Sequence, residues 1–273
     1  MTFYQKLRSI QRKNNSLLCI GLDTDIRKIP RFLLKRRDPL CEFNKMIIAA
    51  TQDIVCAYKL NLAFYEAIGR RGWETAQRTL SFIPHGVITI GDAKRGDIGS
   101  SAAFYARSLM TNYAFDACTV NPYMGEDSVL PFLKNRHQGA FILTLTSNPG
   151  ALDFQFLKAR GKPLYEHVIA KVEQWNTKRN CGLVIGATRP RHLKCARKIA
   201  PDMPILIPGI GAQGGNVKLS VRYGCDSKGE MAILNAGRSV VYASNQADFV
   251  RAARAAALRL RNEINDYREK LFR

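Results

Sequence analysis

The sequence predicts a (β/α)₈ barrel, an α/β fold of eight parallel strands closed on themselves. Three observations predict it. Apolar runs of strand length recur eight times, stretches of helical spacing separate them, and the runs end on polar or charged residues. Short apolar runs alternating with helices read as strands of a parallel sheet buried on both faces. An open doubly wound sheet gives similar alternation, but eight units with polar ends favour closure.

In chain order, an N-terminal helix precedes SLLCIGLD (16–23), which ends on Asp23. The helical stretch CEFNKMIIAATQD leads to IVCAYKLN (54–61), with Lys59 near its end. YEAIGRRGWETAQRTLSF follows, then GVITIGDAK (86–94), closing on Asp92 and Lys94. After SAAFYARSLMTNYA come DACTVNP (116–122) with Asn121, and AFILTLTSN (140–148) with Ser147 and Asn148. PLYEHVIAKVEQWNTK leads to CGLVIGAT (181–188), ending on Thr188; RPRHLKCARKIA leads to PILIPGIGA (204–212), with Gln213 just beyond. GNVKLSVRYG and MAILNAGR (231–238), ending on Arg238, complete the eight units. The last stretch, ADFVRAARAAALRLRNEINDYREKLFR, reads as an amphipathic helix with a basic outer face that closes the barrel. No linker or composition shift divides the chain, so residues 1–273 are expected to form one domain.

Composition narrows the function. At 46% apolar and 23% charged residues the chain is neither disordered nor fibrous. Its apolar runs fall far short of the ~20 residues that span a bilayer, and MTFYQKLRSIQRKNN has no signal core; no membrane partner is expected. Seven cysteines, an odd number without C-x-x-C, sit mostly in apolar contexts, which points to reduced thiols in the cytoplasm. The net charge of +20 is spread along the chain, with excesses at 27–37 and beyond Arg251. It forms no recognition motif for nucleic acid, and none is expected as partner; a field that attracts small anions is the simpler use.

In a barrel of this kind the chemistry sits where strands end. Asp, Ser and Asn at those ends commonly cap the next helix, but two lysines there make poor caps and poor core residues. Together they point to an anionic ligand. On an extended segment Asp92 and Lys94 project to one face, and Asp97 lies beyond the turn at Gly96. Lys59 on the neighbouring strand then completes an alternating row of cations and anions. Neighbouring opposite charges ~4 Å apart attract by about 4 kcal/mol at an effective dielectric near 20, enough to keep the lysines protonated and the aspartates ionised. The alternative is a salt-bridge network that merely closes the barrel mouth. PGIGAQGGN and NAGRSV, after the seventh and eighth runs, suit phosphate: glycine amides approach an anion closely, and Gly237 and Arg238 open a turn with a guanidinium. Residues 212–216 are expected to belong to a loop that closes over it. Ser147 suits a carbonyl or N–H edge, and the four histidines lie away from the strand ends, in ordinary surface roles.

These segments resemble the orotidine 5′-phosphate decarboxylases of the longer bacterial type, from about Leu18 to Ser244. The D-x-K-x-x-D-I of that family stands as Asp92, Lys94, Asp97 and Ile98, its upstream lysine as Lys59, and its first-strand aspartate as Asp23. TSNPGA, PGIGAQGG and NAGRSV match its pyrimidine and phosphate loops. The resemblance implies decarboxylation of orotidine 5′-monophosphate to UMP, without metal or organic cofactor, in a homodimer. It implies that Lys94 protonates C6, Asp92 presses on the departing carboxylate, Lys59 holds Asp92 and the ribose, and Asp23 binds a ribose hydroxyl. Asp97 and Ile98 would serve the partner's site, and Ser101, a serine where the family usually has threonine, would contact the ribose. Ser147 would read the pyrimidine, and Gln213, Gly237 and Arg238 the phosphate. Two other readings stand beside it. One is a Mg²⁺-dependent sugar-phosphate decarboxylase or synthase of the same superfamily, which has an acidic residue where this chain has Lys59. The other is a non-catalytic barrel that binds polyanions.

Overall fold

A computed structural model of the chain describes residues 1–211 and 214–272. The eight apolar runs form eight parallel strands: β1 (Leu18–Gly21), β2 (Ala57–Asn61), β3 (Ile88–Arg95), β4 (Ala117–Val120), β5 (Gly139–Leu145), β6 (Cys181–Ile185), β7 (Ile205–Pro208) and β8 (Ala232–Ala236). They close into a barrel in sequence order, β1 pairing with β2 on one side and with β8 on the other. Every residue of β1, β4, β6 and β8 is buried, as expected for strands covered by helices outside and by layered side chains inside. Most strands stop short of the apolar runs that encode them. Their polar ends have left the ladder and become loops.

One end of the barrel is sealed. The N-terminal helix, Phe3–Lys13, lies across the starts of several strands, with Thr2 capping it. Tyr4 Oη donates to the carbonyl of Cys181 at 2.7 Å, and Gln11 Nε2 to that of Ala232 at 2.8 Å. Phe3 is fully buried, edge-on to Phe141 with ring centroids 5.9 Å apart. Gly139, at the start of β5, makes room for it: a Cβ there would fall 2.5 Å from the Phe3 ring. The opposite end, where the strands finish, is left for the site.

The C-terminal helix, Phe249–Phe272, packs against the helix Pro39–Thr51. Phe249 stacks on Phe43 with centroids 5.2 Å apart, and Ala253, Ala257 and Ile264 face inward. All seven cysteines are free; six are buried and Cys195 is half-buried. Among the described residues, no helix is long and apolar enough to cross a membrane.

The contact between Phe3 and Gly139 leaves no slack. Gly139→Ala is expected to cost about 1–3 kcal/mol by overpacking, seen as a lower urea midpoint at unchanged m-value. An unmoved midpoint would show that Phe3 yields without penalty.

Candidate active site

The ends of β1, β2 and β3 lie side by side, because Gly21 pairs with Lys59 and Asn61 with Asp92. Asp23 follows β1 on a turn that aromatic hydroxyls pin. Tyr242 Oη donates to the Asp23 carbonyl at 3.2 Å and accepts the Asp25 N–H at 2.7 Å. Tyr65 Oη donates to the Leu22 carbonyl at 2.8 Å, and Asn44 holds Tyr65 in turn at 3.0 Å. Lys59, on β2, is 3% exposed, so its ammonium has been taken out of water. Two carboxylates meet it there: Asp23 Oδ1 at 3.2 Å and Asp92 Oδ2 at 3.0 Å. The other Asp92 oxygen, Oδ1, accepts the Lys94 ammonium at 2.6 Å. The row Asp23–Lys59–Asp92–Lys94 alternates in sign, as the sequence predicts, but its second carboxylate is Asp23 and not Asp97. Asp97 turns its carboxylate to the N–H of Ile98 at 2.8 Å and stays out of the row.

Burial and charge oppose each other along this row, and charge wins. Burial alone would raise the Asp92 carboxyl, but Lys59 and Lys94 hold it down at about 2. Burial would likewise drive the proton off Lys59, and Asp23 with Asp92 more than reverse that, raising its affinity for the proton. Both groups are therefore charged throughout the neutral range. Lys94 is different in its surroundings: its side chain is 47% exposed at the open end of the row.

The backbone around Lys94 departs from the extended segment that the spacing predicts. Between Gly91 and Arg95 the register of β3 against β4 shifts, so that Arg95 pairs with Val120. Within this bulge Lys94 takes a left-handed φ of +50°, uncommon for a residue with a Cβ. Asp92 and Lys94 still meet, through the bulge and not through the simple alternation of a strand. The Lys94 N–H is taken by the hydroxyl of Thr119, on β4, at 2.9 Å, and the same hydroxyl donates to Asp92 Oδ1 at 2.9 Å. Thr119 was legible as a lone hydroxyl within the apolar run DACTVNP, two residues before Asn121 and so on the same face.

The remaining candidates ring the same mouth. Ser147 is exposed just beyond β5, and Gly186 lets the end of β6 approach it, since a Cβ on Gly186 would lie 2.9 Å from the Ser147 Cβ. Thr146 and Asn148 are tied into the loop: Thr146 Oγ1 donates to Asn148 Oδ1 at 2.6 Å, and Gln155 Oε1 accepts the Thr146 N–H at 2.8 Å. The loops after β7 and β8 touch, because a Cβ on Gly211 would fall 2.6 Å from Ser239 Oγ. Arg238 is exposed at the head of a helix of only four residues, Arg238–Val241, so its own guanidinium and not a helix dipole supplies the positive charge. Gly237 faces Asp23, whose Oδ2 would lie 3.9 Å from a Cβ there. Gln213, expected on phosphate, and Ala212 lie outside the described residues. Ile98 is 57% exposed, and Ser101 is exposed on the helix Gly99–Ala106. Of the histidines, His192 is not a surface group: Phe156 and Tyr165 meet its ring edge-to-face, both at 5.3 Å.

Comparison with known proteins fits this geometry. The sequence profile of the Orotidine 5′-phosphate decarboxylase / HUMPS family matches residues 16–253. Orotidine 5′-phosphate decarboxylase of Dehalococcoides mccartyi is 46% identical over 274 residues, covering 99% of this chain and 100% of the relative. The enzyme of the same name from Flavobacterium johnsoniae is 43% identical over 275 residues, covering both chains fully. The structure of Leishmania donovani OMP decarboxylase superposes with a TM-score of 0.86 at 36% identity, over 98% of this chain and 99% of that one. Leishmania donovani UMP synthase gives 0.88 at 37% identity, over 98% of this chain and 57% of that one.

Because Asp92 titrates at about 2 in the fold against 3.8 ordinarily, its contribution to stability is complete above pH 4 and lost as the pH falls towards 2. Urea midpoints of the wild type and Asp92→Asn are therefore expected to differ by a constant amount from pH 5 to 8 and to converge below about pH 4. Parallel curves down to pH 2 would remove Asp92 from the acid linkage.

Proposed function

Because the chain belongs to the orotidine 5′-phosphate decarboxylase / HUMPS family, we propose how its own residues carry out the decarboxylation of orotidine 5′-monophosphate to UMP. The chain is a carboxy-lyase of pyrimidine nucleotide biosynthesis. The observation that carries the mechanism is the alternating row, which ends on a half-exposed ammonium held 2.6 Å from a buried carboxylate.

In this reading the pyrimidine lies with C6 at Lys94 and its carboxylate beside Asp92. The C6–carboxylate bond breaks, carbon dioxide departs, and the electron pair stays on C6. Lys94 Nζ delivers the proton that makes the new C6–H bond, and its exposure lets water return that proton. Asp92, ionised at any neutral pH, presses on the departing carboxylate and aims the Lys94 ammonium. Lys59 holds Asp92 and, with Asp23, reaches the ribose hydroxyls. Ser147 reads the pyrimidine edge, while Arg238, Gly237 and Gln213 take the phosphate, whose guanidinium contact is charge-assisted. The net charge of +20 draws in this anionic substrate.

Lys59 also argues against the Mg²⁺-dependent sugar-phosphate reading. Its ammonium stands between Asp23 and Asp92, where it repels a divalent cation from the carboxylates that would otherwise bind one. A polyanion-binding barrel has no use for a carboxylate buried between two lysines at its mouth. Free cysteines support a cytoplasmic setting.

We further propose a homodimer in which Asp97 and Ile98 complete the partner's site. Two features support it: Asp97 stays outside its own row, and Ile98, which follows it, and Met124, beside Gly96, expose apolar surface.

Absorbance of orotidine 5′-monophosphate is expected to fall as UMP forms in excess EDTA, and Lys94→Ala to slow this about 10²–10⁴-fold. A flat trace from folded wild type would overturn the decarboxylase reading. Asp97→Ala and Lys94→Ala, each inactive alone, are expected to recover about a quarter of wild-type activity when their subunits are mixed and exchanged, since half the dimers then hold one intact site. No recovery despite exchange would assign Asp97 to its own subunit.

A further inference from the structure

The hydroxyl of Thr119 joins both halves of the proton-transfer pair. It donates to Asp92 Oδ1 and accepts the backbone N–H of Lys94, each at 2.9 Å, and the residue is 1% exposed. A hydroxyl has one proton and two lone pairs, so the two bonds coexist without competition.

The sheet explains why a side chain is needed here. Gly91 pairs with Cys118 and Arg95 with Val120, so Asp92, Ala93 and Lys94 together face Thr119 alone. Along a regular β3 the N–H groups alternate between its two neighbours, and that of Ile88 goes to the Cys56 carbonyl on the β2 side, so that of Lys94 would point to β2 as well. The bulge turns it towards β4, where the Thr119 hydroxyl accepts it while Lys94 holds its left-handed φ of +50°. Among the described residues Asp92 has three donors: Lys59, Lys94 and Thr119. Two are ammonium groups on long flexible stems. Thr119 is β-branched, with few rotamers, and is rooted in a fully buried strand, so it is the rigid member of the three.

We propose that Thr119 is a positioning residue for protonation at C6. It locks the bulge and the Asp92 carboxylate together, and so fixes where the Lys94 ammonium points. This rests on the reading of Lys94 as the acid that protonates C6. Displacing a reacting group by an ångström costs about 10²-fold in rate when the geometry is otherwise productive.

The test pairs Thr119→Val, which keeps the shape and loses the hydroxyl, with Thr119→Ser, which restores it. Three quantities are compared with wild type per UMP-binding site, so that any unfolded fraction drops out: kcat for decarboxylation, the Kd for UMP, and exchange of the C6 hydrogen of UMP in D₂O. The exchange reads the Lys94 proton transfer in reverse. Thr119→Val is expected to lower kcat and exchange together by about 10–100-fold, with the Kd for UMP within about twofold of wild type and most of the rate regained in Thr119→Ser. Wild-type kcat in Thr119→Val would overturn the proposal. So would a loss of UMP affinity as large as the loss of kcat, which marks a merely structural role, or a Thr119→Ser variant as slow as Thr119→Val. If Lys94→Ala exchanges the C6 hydrogen of UMP as fast as the wild type, the assignment of Lys94 as the acid fails instead, and this inference with it.

Discussion

Lys59 is a cation that the fold has removed from water, and the arrangement of the site follows from how that cost is met. An isolated ammonium at this depth would surrender its proton. It keeps it because Asp23 and Asp92 reach it from the strands on either side, at 3.2 and 3.0 Å. The compensation is mutual, since Asp92 is also mostly buried and stays ionised only beside Lys59 and Lys94. Loss of Lys59 or of Asp92 takes a partner from two neighbours at once, which is why such groups act as a unit. The row ends on Lys94, the one side chain of the four that is half open to solvent. Charge is thus held rigidly inside, and the ammonium that water can reach stands at the outer end.

Barrel closure makes this possible. The three carboxyl- and ammonium-bearing strands are neighbours, so their ends converge without long loops. The N-terminal helix seals the other end and leaves the strand-end mouth open for ligand. Hydroxyls then refine what closure brings together. Tyr65 and Tyr242 fix the turn that carries Asp23, and Thr119 fixes the bulge that carries Lys94. None of these three is charged, and each is held by packing on the barrel wall or its helices. The charged groups inherit their precision from these neutral ones.

In the proposed mechanism the substrate's two anionic ends find different surroundings. Its carboxylate would meet a row of fixed, alternating charges, where position decides the outcome. Its phosphate is assigned to exposed groups on the loops after β7 and β8, which meet at Gly211 and Ser239. Binding energy gathered at the phosphate end can therefore hold the carboxylate against Asp92, a general use of remote contacts in catalysis.

The fold was legible in the sequence because its signal is periodic and redundant: eight apolar runs, each ending in polar residues, leave few architectures open. Asp23, Lys59, Asp92 and Lys94 were legible for a related reason, since charged residues at the ends of buried strands contradict the pattern around them. The order of the row was not. Nothing local to D-A-K-R-G-D says that Asp97 turns away to the Ile98 N–H while Asp23, some seventy residues earlier, takes its place beside Lys59. That choice depends on strand register, which sets β1 against β2 and β2 against β3. The bulge at Lys94 was hidden too, because a strand read alone carries no record of how its neighbour pairs with it. Sequence by itself determined which residue types stand at the mouth. Only the tertiary structure decided which of them touch, because contact here is set by pairing across strands and not by spacing along one.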